Sequence, residues 1–179
     1  LLALPTTDHQ ELVAFAQNCA AFLVTLRDSR GLIADHMRAN GQIEPSIYSY
    51  NQGTSFGLNL QLHRIAGIES CLDQAAEIAQ ASVDYYSNED RLWGESPAFV
   101  AIYLRHLATL RAQTGSDIGA GLGATWLTRL STEALNRDTG LYHEGGVGAY
   151  DGSAVLDQAG IVAARFSAVL PVDLVASLC

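Results

Sequence analysis

The sequence predicts an all-α fold on three observations. Apolar residues recur at spacings of three and four in six successive stretches, the pattern of helices that bury one face. No stretch sustains the alternation of β-branched or aromatic residues with polar ones that a sheet strand requires. The joints carry Gly, Pro, Asp and Asn, residues that stop helices and shape turns.

The first helix is expected from about Thr7 to Ser29, with Leu12, Phe15, Ala16, Cys19, Phe22, Leu23 and Leu26 at helical spacing and Gly31 as its stop. An irregular piece, Gly31 to Tyr50, leads to a second helix from Asn51 to Ala66, closed by Gly67. The third spans Ser70 to Tyr86, with Ser70 as its cap and Leu72, Ala75, Ala76, Ala79 and Val83 as its inner stripe. The fourth opens on Ser96-Pro97, a capping side chain followed by a proline whose missing N–H costs nothing in a first turn, and stops before Thr114-Gly115-Ser116. Its stripe is Phe99, Val100, Tyr103, Leu104, Leu107 and Leu110. The fifth covers Asp117 to Asn136 through Trp126, Leu127, Leu130 and Leu135, and the last runs from near Ser153 to Val169, closed by Pro171. Long joints at 31–50, 87–95 and 138–152 alternate with short ones at Gly67 and Gly115. That alternation describes hairpins whose long loops gather on one rim, where clefts are usually built. A solenoid, a bundle and a closed toroid all satisfy this periodicity.

Residues 1–179 form a single helical region, 49% hydrophobic and 16% charged, a composition that folds. Ten basic residues against 19 acidic ones leave a net charge of −9. Such a surface repels phosphate backbones and anionic lipids, so nucleic acid is not an expected partner. Leu1-Leu2-Ala3-Leu4-Pro5 is apolar but far too short to span a bilayer. With no initial methionine, the true N-terminus is expected upstream. Cys19 and Cys71 fall on apolar helix faces and are expected to be buried thiols; with Cys179 they make no zinc or disulfide pattern. His9, His36, His63, His106 and His143 show no i, i+4 ligand pair, so no metal is expected. Gly119-Ala120-Gly121-Leu122-Gly123-Ala124 spells a dinucleotide fingerprint without its preceding strand, and is read as close helix packing with no cofactor.

The most informative cluster is Tyr48-Ser49-Tyr50-Asn51-Gln52-Gly53. Two aromatic faces and two amides, which donate and accept together, suit a neutral polyhydroxylated ligand. The competing reading makes Asn51 a helix cap and Gly53 and Gly57 contact points for a neighbouring helix. Trp93, Tyr142 and Tyr150 lie in long joints, where they stack on sugar rings or pack the rim, while Trp126 is a core residue. Asp35, Glu44, Glu95 and Glu144 are isolated acids on the same loops; Glu89-Asp90 reads as a solvated turn, and Asp73 with Glu77 as an exposed pair. His36 and His143 are further cleft candidates.

Tyr50-Asn51-Gln52-Gly53, with Gly31-Leu32-Ile33-Ala34-Asp35 upstream, resembles the corresponding motifs of glycoside hydrolase family 76, the endo-α-1,6-mannanase group. Phe99 to Leu107 is similar to the family's Phe-Lys-Gly-Ile-Phe-x-Arg-Tyr-Leu helix, with Val100 and Ala101 in place of Lys-Gly, so any contact from that lysine is lost. Ser153-Ala154 resembles its closing segment. The resemblance runs from about Gly31 to Phe166 and implies six helices forming half of an (α/α)6 toroid-like barrel. It further implies a mannan-like polysaccharide as partner and a secreted, periplasmic or cell-surface location. The family's catalytic Asp-Asp pair has no matching position here. The expected site residues are therefore Tyr50, Asn51, Gln52, Trp93 and Tyr142 for substrate, with none for catalysis. Phe99 and Arg105 are expected to support the framework. The apolar first and last helices call for a missing N-terminal half or a homo-oligomer to cover them. A non-catalytic carbohydrate-binding domain is the alternative.

Overall fold

The computed structural model describes residues 6–142 and 155–169. Leu1 to Pro5, His143, Glu144, Tyr150, Ser153, Ala154, Pro171 and Cys179 lie outside them. Six α-helices run through the described residues: α1 Thr6–Thr25, α2 Ser49–Ala66, α3 Glu69–Tyr86, α4 Pro97–Thr114, α5 Ala120–Arg129 and α6 Val155–Val169.

The caps explain most departures from the expected bounds. Helix α1 stops at Thr25 because Asp28 offers its carboxylate to the backbone N–H groups of Arg30 and Leu32, at 2.8 and 3.0 Å. That local acceptor competes with helical hydrogen bonding, and Gly31 completes the turn at φ +87°. Helix α3 starts after Ile68 without a side-chain cap, so Ser70 lies within its first turn and does not cap it. Ser96 does cap α4, accepting from the Ala98 N–H, with Pro97 in the first turn. Helix α5 is shorter than expected; it begins after Gly119, whose left-handed backbone breaks the run from Asp117, and it widens into a π-turn over Leu130–Ala134.

One element was not expected. The piece between α1 and α2 folds into a small antiparallel hairpin, β1 His36–Met37 and β2 Ile43–Glu44, pairing His36 with Glu44 and Met37 with Ile43. Two-residue strands leave no readable alternation in a sequence.

Helices α2, α4 and α6 lie side by side in series, and α3 packs against α2. Two glycines permit this. A Cβ on Gly53 would fall 2.8 Å from the Tyr103 Cα, and one on Gly160 would fall 2.7 Å from the Ala98 Cα, both below any tolerable contact. Phe56, Leu60, Val100 and Tyr103 fill the α2–α4 seam, fully buried, and the Tyr103 hydroxyl meets Ser82 Oγ of α3 at 2.8 Å. Trp126 joins the core as expected, Cys71 is buried, and Cys19 is only half-buried. Gly119 and Gly123 press α5 onto Leu107 and Leu104, so the glycine-rich run is helix packing. No helix is long and apolar enough to cross a membrane among the described residues.

Candidate functional site

The site is built at the N-terminal end of α2, and Gln52 explains its geometry. Its side-chain oxygen accepts from the Ile33 N–H at 2.9 Å, and its amide nitrogen donates to the Ile33 carbonyl at 2.7 Å and to the Tyr48 carbonyl at 3.2 Å. Gln52 is fully buried, which corrects its expected role as a ligand contact: both amide atoms are consumed by backbone. The clamp holds the loop that carries Asp35 against the first turn of α2.

Asp35 is where the side chains converge. Its Oδ1 accepts from the Tyr50 hydroxyl at 2.8 Å and from the Asn51 amide at 3.0 Å, and its Oδ2 lies 2.7 Å from His36 Nδ1. The hydrogen bonds from His36, Asn51 and Tyr50 hold this carboxyl below the usual range, so it is ionised at neutral pH. Partial burial together with the Asp35 charge pushes the Tyr50 phenol upward, keeping its proton on oxygen. The rings of Tyr48, Tyr50 and Phe99 gather alongside, Tyr50 and Phe99 at 4.6 Å and Tyr48 and Tyr50 stacked at 5.9 Å. Phe99 thus belongs to the site as well as to the framework. Asn51 is helical, so it does not cap α2.

Glu95 provides the missing cap. Both carboxylate oxygens accept from the Ser49 N–H, at 2.8 and 3.1 Å, and Oε1 also accepts from the Tyr86 hydroxyl at 2.6 Å. A negative charge at the positive end of a helix dipole is well placed. Asp157 of α6 does the same for α4, accepting from Ser96 and from the Ala98 N–H. The N-terminal ends of α2 and α4 are therefore joined to the next helix in the series through carboxylates from the long loops and their edges.

The other expected residues lie apart. Trp93 packs edge-on to Trp126, with the Arg129 guanidinium 4.3 Å from its ring centre, beside a groove of about 100 Å³ lined also by Asp90 and Thr125. Tyr142 lies under Arg165 of α6, and its backbone is held at both N–H and C=O by Gln158. Neither touches the Asp35 cluster. Glu89 pairs with Arg91, and Asp90 with Arg129, both in an exposed turn of left-handed residues. No cluster of His, Cys, Asp and Glu among the described residues has the makings of a metal site.

The fold and site together define a helical-hairpin protein with a carboxylate-and-aromatic cluster on the rim of its central helices. The same fold is found in the glycoside hydrolase family 76 mannosidase Bt3792 from Bacteroides thetaiotaomicron, with a TM-score of 0.72 and 21% identity over 92% of this chain and 50% of that one. It is found also in the Lin0763 protein from Listeria innocua, with a TM-score of 0.73 and 22% identity over 91% of this chain and 50% of that one. The chain spans about half the length of the solved structures it matches, and at these identities the likeness is one of fold. No family model and no curated protein matches the sequence.

Proposed function

We propose that Tyr50 and Asn51, both anchored on Asp35, grip a neutral, hydroxyl-rich glycan of the α-1,6-mannan type, as one wall of the cleft of a glycoside hydrolase. The observation that carries this reading is an ionised carboxylate held by the side chains of Tyr50, Asn51 and His36 directly beside three aromatic rings. The Asn51 side-chain oxygen remains to accept, and ring faces suit the apolar side of a pyranose. The likeness in fold to a mannosidase supports the choice of sugar. Trp93 and Tyr142, both half-buried, are assigned to more distant units of a longer glycan.

Glycoside hydrolysis requires two carboxyl groups, one to protonate the leaving oxygen and one to attack or to activate water. Glu95 spends its oxygens on the α2 cap and on Tyr86, which favours a wall that grips over one that cleaves. The acid and nucleophile are assigned to polypeptide outside this chain. Titration with α-1,6-linked mannose oligosaccharides should show saturable binding that Tyr50→Ala and Asn51→Ala each weaken about tenfold, the loss of one or two hydrogen bonds and a stacking face. No reducing sugar should be released by the chain alone. Absence of saturable binding would remove the glycan reading, and turnover that tracks with the protein would return the acids to Glu89, Asp90 or Glu95.

A further inference from the structure

We infer that His36 is the outward-facing hydrogen-bond acceptor of the Asp35 cluster, taking a sugar hydroxyl proton on its Nε2. This rests on the glycan reading above and adds a residue to it. Asp35 is poorly placed to meet a ligand. Its Oδ1 already accepts twice and its Oδ2 once, and its side chain is only 21% exposed, against 55% for the imidazole of His36. An ionised carboxylate has no hydrogen to give, so the 2.7 Å contact requires His36 Nδ1 to carry one. In the neutral imidazole the hydrogen on Nδ1 leaves Nε2 as a bare acceptor. Asp35 thus selects the tautomer, and Tyr50 and Asn51 hold Asp35 in place to do so. The small hairpin adds rigidity: His36 is the first residue of β1, paired with Glu44, and the Asp35 N–H donates to the Glu44 carbonyl at 3.2 Å. The ligand is a hydroxyl donor, which any aldohexose chain supplies, and Asp35 becomes a positioning residue for the imidazole.

The test is His36→Asn. An asparagine amide nitrogen occupies roughly the place of Nδ1 and preserves the donation to Asp35, while nothing replaces Nε2. Calorimetric titration of the 179-residue chain with α-1,6-mannotriose should show affinity reduced about fivefold in this variant, one neutral hydrogen bond's worth, with an unchanged melting temperature. Long-range ¹H–¹⁵N correlation of the uncharged wild-type imidazole should show the Nδ1–H tautomer. Wild-type affinity in His36→Asn, or an Nε2–H tautomer, overturns the inference. If Tyr50→Ala loses binding while His36→Asn keeps it, only the role of His36 falls; if the wild-type chain does not bind the trisaccharide at all, the glycan reading falls with it.

Discussion

Gln52 closes both amide atoms on the backbone of a single residue, Ile33, 19 positions earlier in the chain. A residue in the second strand of a sheet would meet Ile33 the same way, so a side chain here substitutes for a ladder. Removing it strands a buried N–H and a buried C=O. Gln52→Ala should lower unfolding stability by about 3 kcal/mol, the cost of two orphaned backbone groups, measured by urea titration. Gln52→Glu should be equally harmful at neutral pH, because its second oxygen would face the Ile33 carbonyl. A loss under 1 kcal/mol for both would mean that the loop carrying Asp35 is held by something else.

The bond between Tyr86 and Glu95 predicts coupling. Burial first, and the Glu95 charge second, push the Tyr86 phenol far above its ordinary range, so its proton stays on oxygen at any working pH. Glu95→Gln should cost about 1 kcal/mol and Glu95→Ala about 2 kcal/mol, as the α2 cap is weakened or removed. Tyr86→Phe should cost about 1 kcal/mol. The Tyr86→Phe, Glu95→Gln pair should fall short of additivity, since both changes break the same contact. Strict additivity in a double-mutant cycle would show that the 2.6 Å bond contributes nothing.

The fold was largely legible in the sequence, because six apolar stripes and their stops are local signals; Ser96-Pro97 and Gly67 mark their helix ends as expected. The site was legible only as a neighbourhood. Tyr50 and Asn51 do converge, yet what they converge on is Asp35, 15 and 16 residues away, and no spacing rule reveals that. Gln52 was misread for the same reason. An amide beside a tyrosine looks like a ligand contact in one dimension, and only its partner, Ile33, shows it to be a brace. The cap of α2 comes from Glu95, 46 residues downstream of Ser49, where a sequence reader looks for a local Ser, Thr, Asp or Asn.

His106 sets a pH limit on the fold. Its ring is pressed against Gly57 and edge-on to Phe56, and Nδ1 is buried without a partner. Burial first, and Arg105 second, lower its pKa from 6.5 to about 4. The unfolded chain therefore binds this proton more readily than the folded one, and stability present above pH 6.5 is lost as pH falls toward 4. The contribution should reach about 3 kcal/mol at the acid end. His106→Phe should flatten the pH dependence of urea unfolding between those limits. If the wild-type and variant curves run parallel, the ring is not protonated on unfolding. Gly57→Ala should be destabilising, because its Cβ would overlap the His106 ring and force it to shift.

Helix α6 is apolar on two sides. Gly160, Ile161 and Ala164 face α4 and are buried, while Val155, Val162, Phe166 and Val169 are between 52% and 76% exposed. Two apolar faces on one helix are more than a single neighbour covers, and α1 adds its own exposed stripe of Leu12, Phe15 and Phe22. Both faces leave large apolar side chains exposed to solvent. The 19.1 kDa polypeptide should therefore associate at micromolar concentration in light scattering coupled to size exclusion. Val162→Asp with Phe166→Asp should return it to a monomer of unchanged helical circular dichroism, because both side chains are more than half exposed. A wild-type chain that stays monomeric at high concentration would show that the α6 face does not drive association, and a variant that unfolds would place Val162 and Phe166 in the core.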